Sequence, residues 1–213
     1  MTMGTQAHQG APQSASPVLV LASGSTWRKE LLESAGIAVV AEPARIDEDD
    51  VFANDPVALA VARARAKAVD VAGRHPGAVV LGADQVVHLD GRPYFKPQSR
   101  SDWLGALRSL RGRTHQLTTA VVLAWPEGSG HRLEAFSVHT AIRFRADLQD
   151  AELEAYVDHG EAAGCAGGYM VERHGAWLIE AVEGDWTNVV GLPVLAVVGR
   201  LRAGGWTYPP TRE

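Results

Sequence analysis

The chain has 213 residues, enough for one domain or two small lobes and too few for a multidomain machine, because single cores usually hold roughly 100 to 200 residues. Hydrophobic residues make up 46% and charged residues 21% of it, a balance that builds a packed core and excludes a disordered body. The formal charge of −5, from 20 Lys+Arg against 25 Asp+Glu, comes with no basic stripe and argues against wrapping nucleic acid, so an anionic ligand would need a few local cations or a metal.

The opening MTMGTQAHQGAPQSASP has no basic start followed by an apolar run and does not read as a signal peptide. Residues 1–16 are expected to be a loose tail, 17–203 a single domain and 204–213 a second tail. One cysteine, Cys165, excludes an internal disulfide and paired-cysteine zinc sites, which fits a reducing cytoplasm. The longest apolar stretch, 189–199, is broken by Gly191 and Pro193 and falls short of the ~20 residues that span a bilayer. A soluble protein with no membrane contact is expected.

Residues 18–22 form an apolar run of buried-strand type, followed by the polar turn Ser23-Gly24-Ser25 and a helix-forming stretch, 26–35, closed by Gly36. Residues 37–41 are a second strand candidate. Asn54-Asp55-Pro56 is a strong helix start, a capping side chain before a proline, and this helix should run to about residue 71. Residues 78–83 read as a fully apolar strand. Beyond Asp84-Gln85, residues 86–89 meet Asp90-Gly91, the best hairpin turn in the chain. A helix over 101–110 ends before Gly112, and two strand-like runs, 117–125 and 134–145, are joined by the turn-rich 126–130 as an antiparallel hairpin. Helix returns over 148–158, further strands follow the glycine-rich 164–168 up to about 182, and 192–202 closes as a helix. Strands and helices interleave with hairpins inserted, so the fold class is α/β with a mixed sheet flanked by helices.

Ser23, Ser25 and Arg28 lie where an apolar strand delivers the chain into a helix, a place that offers free backbone N–H groups to phosphate; the blander alternative is that Ser25 merely caps the helix. Asp84 closes an apolar run, where a carboxylate serves as general base, magnesium ligand or simple turn residue. Lys67 and Lys96 are either phosphate contacts or solvated lysines. Glu48 lies in the acidic run 47–50, a magnesium ligand or a solvated loop. No Walker-type loop, GxGxxG, HExxH or G-x-S-x-G is present, which sets aside the familiar nucleotide folds, metalloproteases and serine hydrolases. Cys165, alone among glycines, reads as a space-filler.

Leu21-Ala22-Ser23-Gly24-Ser25-Thr26-Trp27-Arg28-Lys29-Glu30-Leu31-Leu32 resembles the opening L-A-S-x-S-P-R/W-R-x-x-L-L of the Maf family of nucleoside triphosphate pyrophosphatases. Gly82-Ala83-Asp84-Gln85-Val86-Val87, Lys96-Pro97, the block 110–115 (LRGRTH) and the block 184–193 (GDWTNVVGLP) resemble its later motifs in the same order. The resemblance spans residues 18–202. It implies a two-lobed mixed α/β fold with a deep cleft, shared with inosine triphosphate pyrophosphatases, and hydrolysis of a nucleoside triphosphate between the α and β phosphates with a divalent metal, Mg²⁺ or Mn²⁺. It implies Asp84 as proton acceptor, Ser23, Arg28, Lys67 and Lys96 as substrate-binding residues, and Glu48 with Asp84 as metal ligands.

Three departures stand out. Thr26 replaces proline, Ala62 occupies a position often held by arginine, and Phe95, where glycine is usual before Lys-Pro, is expected to narrow the cleft beside Lys96. Trp27, Gln85 and Glu172 match the 7-methyl-GTP subfamily, whereas the dTTP/UTP group carries Arg, Thr and Gln there. An indole can stack on a cationic methylated purine, and a carboxylate can accept from guanine N1–H and N2–H₂. The reading is a cytoplasmic 7-methyl-GTP pyrophosphatase whose partner is its nucleotide, with a homodimer left open. Its rivals are a dTTP/UTP pyrophosphatase and a nucleotide-binding regulator of cell division or septum formation.

Overall fold

The apolar runs assemble into one seven-stranded mixed sheet in the computed structural model, which describes residues 18–207. The tail expected over 1–16 and the last residues, 208–213, lie outside the described residues. In chain order the sheet is built from β1 (Leu19–Leu21), β2 (Val39–Ala41), β3 (Val79–Leu89), β4 (Arg92–Tyr94), β5 (Thr114–Glu127), β6 (Gly130–Phe144) and β7 (Ile179–Glu183). The strand order is β2-β1-β3-β5-β6-β7, with β4 also pairing β3. β1 runs parallel to β2 and β3, and all other pairings are antiparallel, as the inserted hairpins require.

Among the described residues six helices flank the sheet: α1 (Thr26–Ser34), α2 (Pro56–Ala72), α3 (Arg100–Leu110), α4 (Asp150–His159), α5 (Trp186–Val190) and α6 (Val194–Ala203). α2 starts where the sequence demands. The Asp55 carboxylate accepts from the amides of Val57 and Ala58, and Pro56 takes a first-turn position where its missing N–H costs nothing.

Two cores divide the molecule. Leu32 of α1 and Val197 and Leu201 of α6 pack on Leu19, Leu21, Leu81 and Leu123 at one end of the sheet. At the other end α3 and α4 bring Trp103, Leu107, Leu153 and Tyr156 onto Val87, Leu89, Ile142 and Phe144. β3 runs through both, with its apolar halves on either side of Asp84-Gln85.

α2 covers the opposite face, and its stripe Ala60, Ala64 and Ala68 is fully buried. The fit is close at Gly82, where an added Cβ would stand 2.2 Å from the carbonyl oxygen of Ala64. Side chains alternate across a strand, so Asp84, of the same parity as Gly82, points to the α2 side and Gln85 to the other.

Three local expectations are corrected. Asp84 is not at a strand mouth: the β3–β5 ladder runs unbroken from Val80↔Ala124 to His88↔Gln116, with Asp84 opposite Ala120. A mid-strand carboxylate is tolerated because α2 supplies a cation to it. Of the stretch expected to run as strands from the glycine-rich 164–168 up to about 182, only β7 is one, and residues 174–178 form a 3-10 turn, because the amides of Arg173 and Ala176 bond the local carbonyls of Met170 and Arg173 rather than a neighbouring strand. α5 was not anticipated, being too short to show a helical period. Trp206, within the expected C-terminal tail, packs against the α6-side core. Among the described residues no helix is long and apolar enough to cross a membrane.

Candidate active site

On the side of β3 away from β5, β1 pairs as far as Leu81 and β4 begins at Val87. The backbone between them has no strand partner on that edge, and this gap floors a cleft of about 1480 Å³ between the two cores. Ser23, Trp27, Arg28, Glu48, Lys67, Asp84, Gln85, Lys96 and Glu172 all line it, so every sequence candidate converges on one cavity.

Its centre is a shared cation. Lys67 Nζ, on α2, donates to Asp84 Oδ1 at 2.7 Å and lies 2.9 Å from Glu48 Oε1. Lys67 and Asp84 are both buried, and the close α2–β3 approach at Gly82 brings them together. Glu48 belongs to a 3-10 turn, Glu48–Asp50, capped by Asp47. Burial acts to raise the Glu48 pKa, but the hydrogen bond and charge of Lys67, with help from Arg63 and Lys96, prevail and lower it.

Arg28 forms the second anchor. Ser25 caps α1 by accepting from the Arg28 amide, and Ser23 Oγ accepts from the Ser25 amide at 3.2 Å and from Arg28 Nη1 at 3.4 Å. The guanidinium also donates from Nε to Gly191 O and from Nη1 to Ala83 O, each at 3.0 Å. These bonds fix the plane and leave Nη2 without an acceptor among the described residues. Burial lowers the Arg28 pKa, and the charges of Asp84 and Glu48 push against that. Lys96 is exposed and in no ion pair among the described residues. Phe95, 58% exposed, lines the cleft, and its carbonyl takes the Gly167 amide at 3.3 Å.

The other wall carries the candidates for base choice. Gln85 Nε2 donates to Thr119 Oγ1 at 3.0 Å and to Asn188 O at 2.7 Å. Both amide hydrogens are thus used and Oε1 is left as an acceptor. The Trp27 indole is 36% exposed and carries the Arg173 guanidinium 5.1 Å from its ring centroid, a planar cation on an aromatic face. Next to Arg173, Glu172 is a cleft carboxylate whose pKa burial raises, with its own amide and Arg173 opposing.

Glu48 and Asp84 are hard oxygen ligands facing open space, and the second oxygen of each makes no hydrogen bond among the described residues. Mg²⁺ and Mn²⁺ sites are built this way, from one or two carboxylates completed by phosphate and water. The donor set fits a divalent cation.

The Maf-like protein family matches residues 18–204. The chain belongs to the Maf family. A dTTP/UTP pyrophosphatase of Deinococcus radiodurans is 39% identical over 91% of this Maf chain and 96% of the relative. A 7-methyl-GTP pyrophosphatase of Xanthomonas oryzae pv. oryzae is likewise 39% identical, over 91% and 100%, and a nucleoside triphosphate pyrophosphatase of Corynebacterium efficiens is 38% identical over 84% and 90%.

Sequence reasoning missed one position on the wall of this Maf cleft and one that supports it from behind. Arg63 lies on the cleft wall, its Nε donating to Glu48 O at 3.2 Å. Its position four residues before Lys67, on the same helix face, was the available sign. Asn188 is fully buried and donates to Leu117 O, Val138 O and Thr140 Oγ1. It pins α5 to β5 and β6 and so sets the carbonyl that holds Gln85.

Proposed function

We propose that this chain is a nucleoside triphosphate pyrophosphatase that hydrolyses the α,β-phosphate bond of 7-methyl-GTP, or a closely related methylated purine nucleotide, to the monophosphate and pyrophosphate. The observation that carries the reaction is the Lys67-bridged Asp84/Glu48 pair, with Asp84 on the open edge of β3, in a cleft where Arg28 and Lys96 stand among the lining cations that can meet phosphate. Asp84 takes the proton of the attacking water. Arg28 Nη2 and Lys96 bind phosphate oxygens, and Ser23 holds the guanidinium in place. Glu48 and Asp84 would hold a divalent cation, whose charge would neutralise the phosphates and the leaving pyrophosphate. Lys67 keeps the two carboxylates side by side against their mutual repulsion.

The methylated-guanine preference rests on Trp27, Gln85 and Glu172. Arg173 over Trp27 supports an indole face suited to planar cations, and Gln85 Oε1 with Glu172 gives a wall rich in acceptors, complementary to guanine N1–H and N2–H₂. A dTTP/UTP preference is the second reading, favoured by the equally similar Deinococcus radiodurans relative. The test is kcat/KM across 7-methyl-GTP, GTP, dTTP and UTP. Trp27→Ala should lower the advantage of the methylated substrate over GTP about two- to thirtyfold, the equivalent of ~0.5 to 2 kcal/mol of cation–π contact. Faster turnover of UTP and dTTP than of 7-methyl-GTP would give the pyrimidine reading the lead.

A further inference from the structure

Outside the cleft, α4 ends at His159, and Gly160, at φ 81°, turns the chain so that Glu161 comes back beneath that histidine. His174, from the turn that follows Glu172 and Arg173, reaches the same spot. Each of the three residues offers a ligand atom, and these atoms lie within 4.8 Å of one another, the only such group of His, Cys, Asp or Glu among the described residues. Glu161 Oε2 is 2.7 Å from His174 Nδ1 and 3.6 Å from His159 Nε2. Those spacings bracket the roughly 3.3 Å between neighbouring ligands around a tetrahedral zinc with bonds of ~2.0 to 2.1 Å.

The surroundings suit an ion more than a surface ion pair. The Glu161 side chain is only 7% exposed, while the imidazoles above it are 49% and 62% exposed, so a buried carboxylate sits under two accessible rings. Its other oxygen accepts the Gly175 amide at 3.2 Å, the outer support that orients a metal-binding carboxylate. Two imidazoles and one carboxylate select borderline transition ions over Mg²⁺, so the set differs in kind from the all-oxygen pair in the cleft.

We propose that His159, Glu161 and His174 bind one transition-metal ion of the Zn²⁺ class, with water completing a tetrahedron, and that this ion staples the end of α4 to the segment carrying Glu172 and Arg173. The site is independent of the nucleotide assignment.

The experiment titrates Zn²⁺ into full-length, chelator-treated protein by calorimetry, with Co²⁺ absorption reporting geometry. One tight equivalent and a tetrahedral Co²⁺ spectrum are expected. His159→Gln and His174→Gln, at exposed positions and with unchanged metal-free melting, should each weaken Zn²⁺ at least roughly tenfold, the low end of what even outer partners of a metal contribute. Glu48→Gln, in the cleft, should retain the equivalent. Zinc should also slow amide exchange over residues 171–175 in the wild type. Absence of a zinc equivalent, its survival in His174→Gln, its loss in Glu48→Gln, or unaltered exchange on binding would overturn the proposal.

Discussion

Asp84 and Lys67 illustrate how a side chain's meaning depends on one partner. Asp84 is a charged residue midway along a buried strand, and it persists there because Lys67 Nζ meets it at 2.7 Å. Replacing the carboxylate by an amide keeps the shape and removes the basicity, so Asp84→Asn should lower kcat by ~10²- to 10⁴-fold with the melting temperature and nucleotide binding largely kept; stopped-time pyrophosphate assays beside thermal melts check this. His115 shows a different dependence. It is buried against Phe144 and Tyr169, with Nε2 2.6 Å from the Tyr169 hydroxyl and Nδ1 unpartnered, and burial, with the nearby His88, drops its pKa to about 4. Between its ordinary 6.5 and that value the unfolded chain binds a proton that the native state refuses. Stability is therefore lost as pH falls through this window, by roughly 3 kcal/mol from this residue alone. Denaturant melts from pH 7 to 4 should show a shallower decline in His115→Phe than in the wild type. Neither the Lys67 bridge nor the His115 burial was legible in the sequence, because both depend on contacts between segments distant along the chain.

Helix α2 and strand β3 act together through a missing side chain. Gly82 has no room for a Cβ against the Ala64 carbonyl, so Gly82→Ala must push α2 outward and draw Lys67 from Asp84. A loss of ~1 to 3 kcal/mol in stability is expected, as for other overpacked cores, accompanied by a fall in kcat that Gly105→Ala, where a Cβ meets nothing within 4 Å, does not share; paired denaturation and turnover measurements on the two variants check it. α1, α2, α3 and the hairpin strands were legible because their caps, their apolar periods and the Asp90-Gly91 turn are local. The stretch 169–178 was not, since its apolar residues suit strands while packing turns it back on itself: a Cβ at Gly175 would stand 2.4 Å from the Met170 carbonyl oxygen. α5 escaped notice because five residues are too few to show a helical period. Its cap, Asp185, is local, and Asn188, reaching across to β5 and β6, holds it in place.

Across the whole molecule the cleft arises because β3 is longer than the two short strands that share one of its edges. β3 passes from the α1/α6 core to the α3/α4 core, β1 and β4 each cover only part of its edge, and the uncovered middle presents Asp84 on one face and Gln85 on the other. The walls proposed for catalysis and for base choice are thereby separated by a single peptide. The convergence of sequence candidates on this cavity was legible only as a list of motifs in order; their assembly needed the sheet register. The most direct test follows product formation from a nucleoside triphosphate, with Mg²⁺ or Mn²⁺ and after chelation, by phosphorus NMR. One pyrophosphate for each monophosphate is expected, with no nucleoside diphosphate or orthophosphate and no turnover without the metal; nucleoside diphosphate and orthophosphate as first products, or undiminished turnover under chelation, would overturn the pyrophosphatase reading.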